Sequence, residues 1–148
     1  MTFTKNALSV SALALVLTAS QAFAAHIGDV ANEPVYNPAT VTQVSGAVSA
    51  IRQVPAGNPL AGTHLTLKTK AGMIDVYLGP ADFLKFLKAG FPVGDQISVI
   101  GSKLKADTAD VVLARSVDDG VMLISLRDSK GTPDWTSWGH EIDPSQVQ

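Results

Sequence analysis

The stretch GMIDVYLGPADFLKFLKAGFPVGDQISVIG, from Gly72 to Gly101, decides the fold, because it predicts a strand, a short helix and a second strand in succession. Apolar and polar residues alternate from Ile74 to Leu78, which is the period of a half-buried strand. Gly79-Pro80 ends that strand and begins the helix, since proline has no amide hydrogen to leave unpaired at a first helical position. QISVIG then predicts the second strand.

The predicted helix has one broad apolar face and one basic face. Lysines 85 and 88 form the basic face, and the apolar face consists of Phe83, Leu84, Phe86 and Leu87. A helix of roughly nine residues is not stable alone in water. It is therefore predicted to plug the end of an apolar core, with Phe86 fully buried.

Alternating patterns predict strands on both sides of this stretch. A long, bent first strand begins at Thr40, with Gly46 at the bend. The second strand is predicted from His64 to Lys70, followed by a tight turn at Ala71-Gly72. The last two strands are predicted at Asp110 to Val117 and Val121 to Arg127. Strand, hairpin, helix and hairpin in this order predict an all-β fold, a five- to six-stranded Greek-key OB-like barrel with one capping helix.

Residues 1–24 have the pattern of a secretory signal peptide. One lysine, Lys5, precedes an uncharged apolar run of about 11 residues, shorter than the roughly 20 needed to span a bilayer. Small residues at Ala22 and Ala24 predict cleavage after Ala24. We therefore expect a periplasmic or secreted product without a transmembrane segment. Residues 25–39 are predicted to form an N-terminal arm, 40–128 the barrel and 129–148 a C-terminal tail.

Composition excludes several classes of chemistry. The sequence has no cysteine, which rules out disulfides, thiolate metal sites, iron–sulfur clusters, covalent haem and cysteine nucleophiles. After loss of Lys5, ten basic and 13 acidic residues remain, a net charge of −3. A mildly acidic exported domain is a poor candidate for binding nucleic acid or anionic lipid.

Four motifs also carry a family resemblance: LGP at Leu78 to Pro80, GDQISVIG at Gly94 to Gly101, LAR at Leu113 to Arg115 and LRDSKGTPDW at Leu126 to Trp135. Together they resemble small exported bacterial OB-fold proteins, over roughly Val41 to Trp135. The resemblance implies an OB-like barrel and no particular chemistry, since this fold hosts many unrelated functions.

The predicted ligand surface is the outward row of the second and third strands. In OB folds this face and its flanking loops are the usual binding site. An anionic ligand would meet the lysines and could stack on the tyrosine, so the candidate residues are His64, Lys68, Lys70 and Tyr77. An ordinary solvated strand face is the alternative, because single-strand binders usually show several stacking aromatics.

Two tryptophans in the tail, Trp135 and Trp138, are further candidates for ligand binding. They could form a platform for a carbohydrate or peptide. Alternatively they could fold back over an open barrel edge, because tryptophan buries a large area while its N–H finds a partner.

Three histidines, His26, His64 and His140, raise the alternative of a copper or nickel site. They lack a close ligand spacing, so no metal site and no cofactor is predicted. The acidic residues at 118, 119, 128 and 134 are predicted to be turn residues rather than an acid/base pair. The predicted function is an exported non-enzymatic binding module whose partner is an envelope protein or an anionic ligand. The alternative is a small periplasmic metal-binding or enzyme-accessory protein.

Overall fold

The computed structural model describes residues 34–106 and 109–137 of the 148-residue chain. The predicted signal peptide, most of the N-terminal arm, and residues His26, Trp138 and His140 lie outside these ranges. Along the chain, the described elements are a 3-10 turn at Pro38–Thr40, β1 (Val41–Val54), β2 (Gly62–Thr69), β3 (Gly72–Gly79), α1 (Ala81–Phe86), β4 (Gln96–Ala106), β5 (Ala109–Asp118), β6 (Leu123–Ser125) and a 3-10 turn at Asp134–Thr136.

Five strands close into a barrel in the order β1-β2-β3-β5-β4. The antiparallel pairs are β1 with β2, β1 with β4, β2 with β3, and β4 with β5. Parallel pairing of β3 with β5, beginning with Asp75 opposite Val111, completes the circle. The short strand β6 pairs with the end of β5. This is a Greek-key barrel of the OB type, and the predicted fold class is confirmed.

The two halves of the long strand β1 pair with different neighbouring strands. Its first half pairs with β4 and its second half with β2, and Ala47 has a partner on each. A Cβ atom at Gly46 would collide with the carbonyl of Lys68, so only glycine allows the strands to approach this closely. The bend predicted at Gly46 lies at this crossing, and the register shift follows between Val48 and Ala50.

Helix α1 caps the barrel end but is shorter than predicted. Phe83 and Leu84 are buried, whereas Phe86 is 63% exposed, so the prediction that Phe86 plugs the barrel is wrong. The reason is an early Schellman ending. Lys88 takes a positive φ of 54°, and the Ala89 amide donates to the Leu84 carbonyl at 3.0 Å. Within the six-residue helix, only Phe83 and Leu84 are buried against the core.

The barrel interior is filled by aliphatic side chains. Leu65, Leu67 and Val76, which alternate with the outward row of β2 and β3, are buried, and Ile74 is half-buried. Other fully buried residues of the core are Val48, Leu78, Val99, Val112, Leu113 and Val117. In the described ranges, no helix is long and apolar enough to cross a membrane.

The chain after β5 departs from the predicted pattern. The last strand, expected over seven residues, has only the three residues Leu123–Ser125, because Asp119 Oδ1 accepts the amides of Val121 and Met122 at 2.8 Å and holds them in a turn. Beyond β6, the chain folds back on the barrel. The Leu126 amide donates to the Arg115 carbonyl at 2.8 Å. This return places the segment 126–136 against β3 and β5.

Candidate binding face on strands β2 and β3

The outer face of β1, β2 and β3 forms one continuous row of side chains. Cross-strand pairs place His64 opposite Tyr77, and Lys68 opposite Met73. Since paired residues lie on the same side of a sheet, the prediction that His64, Lys68 and Tyr77 share a surface is confirmed. Lys70 lies in the turn that joins β2 to β3. We call this surface the outer face; its members are Arg52, His64, Thr66, Lys68, Met73, Asp75 and Tyr77.

One half of the outer face is covered by other parts of the chain. His64 is only 2% exposed and Tyr77 only 4%, so the prediction that these two side chains face solvent is wrong. Both donate to the β1–β2 loop, residues 55–61. His64 Nε2 lies 2.7 Å from the Leu60 carbonyl oxygen, and the Tyr77 hydroxyl lies 3.1 Å from the Ala61 carbonyl oxygen. The covered half, His64, Asp75 and Tyr77, therefore anchors this loop.

A charged cluster surrounds His64. Asp75 Oδ2 lies 2.9 Å from His64 Nδ1 and 2.7 Å from the Arg52 guanidinium. The Leu60 carbonyl and an ionised carboxylate can only accept hydrogen bonds, so both ring nitrogens of His64 are placed to donate. Both ring nitrogens of His64 are therefore occupied by partners within the chain.

The carboxyl group of Asp75 is stabilised in its charged form. Burial opposes ionisation, but the hydrogen bond and charge of His64, followed by those of Arg52, outweigh it and hold the pKa of Asp75 below its usual value of 3.8. The second oxygen, Oδ1, is buried and accepts no hydrogen bond from the described residues. The cluster thus depends on Asp75 remaining ionised.

The C-terminal segment covers the rest of this half. Trp135 is 3% exposed and packs edge-on to Tyr77 at 6.4 Å and against Phe83 at 5.6 Å between ring centroids. A Cβ atom at Gly79 would lie 2.7 Å from the Trp135 ring, so glycine is required beneath it. Trp135 covers the barrel, as the structural alternative predicted, and Trp138 lies outside the described residues.

Arg127 fixes this segment in place. Its guanidinium carbon lies 4.5 Å from the centroid of the Trp135 ring and 5.8 Å from that of Tyr77, within the range of cation–π attraction. Its Nε donates to the Ala114 carbonyl at 3.2 Å. The buried guanidinium therefore joins the returning segment to both β3 and β5.

The other half of the outer face is open. Met73 is 57% exposed, and Lys68 and Lys70 are exposed beside it. Neither lysine forms an ion pair with the described residues. We call Lys68, Lys70 and Met73 the open half; it is the part of the predicted ligand surface that solvent and a partner can reach.

A cleft of about 210 Å³ lies between α1 and the barrel. Leu65 and Leu78 contribute apolar walls, and two polar lining side chains, Gln53 and Thr63, hydrogen-bond to each other at 3.0 Å. Lys85 at the edge pairs with a helix aspartate. With these polar groups already paired, the cleft is a packing gap beneath a short helix.

The Arg52–Asp75–His64 cluster and the Arg127 contacts were not foreseen in the sequence. Cross-strand pairing of His64 with Tyr77 was predictable from hairpin geometry, but Arg52 meets them only through the β1–β2 register. One sequence feature could have predicted the contact between Arg52 and His64: the two residues lie at equal distances on either side of the 55–61 loop, so a hairpin would pair them.

A protein-family model matches the part of the chain that forms the barrel. A family model described as the MamS/MamX magnetosome protein family matches residues 40–123, from the start of β1 to the start of β6. The match covers more than half of the chain. This chain belongs to the MamS/MamX magnetosome protein family. A search of curated proteins finds no match. The family description names no fold, so the family match does not test the expected OB-like fold, which the barrel itself fits.

Proposed function

We propose that this member of the MamS/MamX family is an exported, non-enzymatic binding module that docks another magnetosome protein on the open half of its outer face. The observation that carries the proposal is the contrast within that face. The chain's own loop and C-terminal segment fill the covered half, while Lys68 and Met73 stand exposed on the same strands. The usual ligand surface of the fold is thus reduced to this open half.

The open half has the features of a docking surface. Its two strands are held by a buried interior, with Leu67 and Val76 fully buried directly beneath. A rigid surface loses little conformational freedom on binding. An exposed methionine between lysines offers an adaptable apolar contact with a charged rim.

A non-enzymatic role is supported by how the candidate acid–base groups are used. Both His64 nitrogens are engaged in hydrogen bonds. Hydrogen bonds from the Met122 and Val121 amides hold the pKa of Asp119 below its usual range, and a bond from the Thr132 amide does the same for Asp128. Carboxyls of this kind are poor general acids near neutral pH. Both act as turn residues.

The metal-binding alternative receives no support from His64, because its ring nitrogens already donate to Asp75 and to the Leu60 carbonyl. Within the described residues, no group of three or more histidine and carboxylate side chains could hold a metal ion. The exported location rests on the signal-peptide pattern of residues 1–24.

Partner capture by matched variants tests the proposal. The tagged chain is used to capture proteins from an extract of cells that make magnetosomes, and captured proteins are identified by mass spectrometry. Lys68→Glu with Met73→Asp should abolish capture of the specific partner. The control, Lys88→Glu with Val93→Asp, makes the same changes at exposed positions near α1 and should retain it. Circular dichroism verifies that both variants are folded. Equal capture by the two variants, or equal loss, would contradict the proposal.

A further inference from the structure

Strand β6 leaves one edge of the sheet unpaired. It stands last in the strand order, and β5 is its only strand partner in the part of the chain that the structure describes. The Leu126 amide donates to the Arg115 carbonyl, so Leu126 faces β5. Along an antiparallel strand, positions bonded to one neighbour alternate with positions whose backbone groups point the other way. The N–H and C=O groups of Leu123 and Ser125 therefore point away from β5, toward the open edge.

Large apolar side chains stand exposed along this edge. Val121 is 90% exposed and Leu123 69%, and Met122 between them is exposed as well. Leu123 lies opposite Asp118, so its cross-strand neighbour on β5 offers no apolar cover. Natural sheets usually protect an open edge with lysine, proline or a bulge, and residues 119–126 contain none of these. We call Val121, Met122, Leu123 and Ser125 the β6 edge.

The chain on both sides of the β6 edge is acidic. Asp118 and Asp119 precede it, and Asp128 follows it. Backbone amides of their own turns donate to Asp119 and Asp128 and hold the pKa of each carboxyl below its usual value, so both are charged near neutral pH. From residue 116 to 137 the chain has four aspartates and two basic residues, of which Arg127 is buried. The β6 edge is therefore an apolar strand edge between negative charges.

We propose that the β6 edge is a second docking site, which binds an extended segment of another protein with apolar residues between basic ones. The segment adds a strand beside β6, with main-chain hydrogen bonds to the outward groups of Leu123 and Ser125. Its apolar side chains cover Val121 and Leu123, and its basic residues meet the aspartates at the two ends. The inference goes beyond the proposed function and does not depend on it. The open half lies elsewhere, because β6 pairs with the end of β5 and the β2–β3 hairpin lies beside its beginning.

A second copy of this chain fits the β6 edge less well. Two β6 strands paired antiparallel through Leu123 and Ser125 would bring Asp119 of each copy toward Asp128 of the other copy. Like charges placed opposite each other destabilise a strand pair. A segment with basic ends instead gains from both carboxylates.

Fluorescence anisotropy with the full chain and a labelled peptide tests the inference. The probe has about seven residues, valine and threonine alternating between terminal lysines, which is long enough to pass both ends of β6. We expect binding that weakens with added salt. One control peptide has proline at its centre and lacks an amide hydrogen there, and another has glutamates in place of the lysines. Both should bind at least about tenfold more weakly.

Two variants of the chain block the β6 edge in different ways. Leu123→Lys places a cation where the basic segment docks, and Ser125→Pro removes an amide hydrogen that points away from β5. Each should weaken peptide binding roughly tenfold or more. The matched controls are Met73→Lys, at an exposed apolar position of the open half, and Ser125→Ala, which keeps the amide. Both should retain affinity within about twofold, and circular dichroism verifies that all four variants are folded.

Hydrogen exchange shows whether the edge is free. In the chain alone, the Leu123 and Ser125 amides should exchange faster than the Ile124 amide, which faces β5, and the peptide should slow them. Slow exchange without peptide would show that another part of this chain already covers the edge. A dimer that Leu123→Lys dissociates, measured by analytical ultracentrifugation, would assign the edge to a second copy. Either result would overturn the inference, as would a peptide that does not bind, equal binding of a control peptide or equal loss in the control variants.

Discussion

The covered and open halves of the outer face come from the same two strands and the same side of the sheet, yet they have opposite environments. His64 and Tyr77 are buried, whereas Lys68 and Met73 are exposed a few residues away. Strand alternation decides which side of the sheet a residue occupies. Segments distant in the sequence, here the β1–β2 loop and the chain after β6, decide whether that side meets water.

Because of this difference, the covered half should contribute mainly to stability and the open half mainly to binding. Buried aromatic area, cation–π contacts and hydrogen bonds to two loop carbonyls concentrate in the covered half, so substitutions there should act on stability. The open half contributes little burial, so substitutions there should act on binding. The predictions below test this division, beginning with the largest expected effect.

Trp135→Ala should have the largest effect on the free energy of unfolding. The indole fills the space between Gly79, Tyr77 and Phe83, and its loss leaves a cavity that the rigid strands cannot close. We expect a decrease of about 3–5 kcal/mol in urea denaturation. Met73→Ala, on the open half, is the control and should cost less than about 1 kcal/mol. Similar decreases in the free energy of unfolding from the two substitutions would show that the covered and open halves contribute equally to stability.

His64→Ala should release the β1–β2 loop. The Leu60 carbonyl loses its donor, and Asp75 keeps only Arg52. Leaving buried acceptors unpaired should lower the free energy of unfolding by about 1–3 kcal/mol. Hydrogen exchange at the Leu60 and Ala61 amides, both bonded to Asn58, should accelerate.

A matched change separates the loop contact from the ring. Tyr77→Phe removes only the hydroxyl that donates to the Ala61 carbonyl and should cost about 0.5–1.5 kcal/mol. If His64→Ala left exchange in the 55–61 loop unchanged, the role of the covered half as an anchor for that loop would be excluded.

The barrel was predictable because its signals are local. Alternation from Ile74 to Leu78, the Gly79-Pro80 junction and the glycine at the β1 crossing each specify their own geometry. The end of the helix was not predictable, because no sequence pattern indicates that a lysine will adopt a positive φ. Lys88 takes the position that glycine usually holds, so the predicted helix of roughly nine residues was too long.

The candidate face was predictable only as a set of side chains. Hairpin geometry predicted that His64 and Tyr77 would be neighbours. Their burial, however, depends on the packing of Trp135, which lies more than 50 residues later in the chain. The partnership of Arg52 with Asp75 likewise requires the register across two strand pairs. Contacts between residues so far apart in the chain produce no periodic pattern in the sequence, so they could not be predicted from it.

Acid should weaken the covered half through Asp75. Its folded-state pKa lies below the ordinary value of 3.8, so its ionised form contributes stability above that value. The contribution is lost as pH falls through about 4 toward the folded-state pKa. Between about pH 6 and pH 3, the wild-type chain should therefore lose more stability than Asp75→Asn, measured by urea denaturation at each pH.

The other carboxyls are common to the two proteins, so their contributions cancel in this comparison. Asp82→Asn, at an exposed helix position, is the control substitution and should follow the wild-type curve. An Asp75→Asn curve parallel to wild type would show that the charge of Asp75 is not what stabilises the cluster.

The smallest effect on stability is expected at the open half. Lys68→Ala combined with Lys70→Ala removes two exposed side chains that form no ion pair with the described residues, so the free energy of unfolding should change by less than about 0.5 kcal/mol. The same variant should capture less of the docked partner, because two of the cationic contacts of the open half are gone. Urea denaturation and partner capture with one preparation measure both quantities. A loss of more than about 1 kcal/mol would mean that these lysines support the barrel, and the open half would then be part of the scaffold rather than a surface kept for a partner.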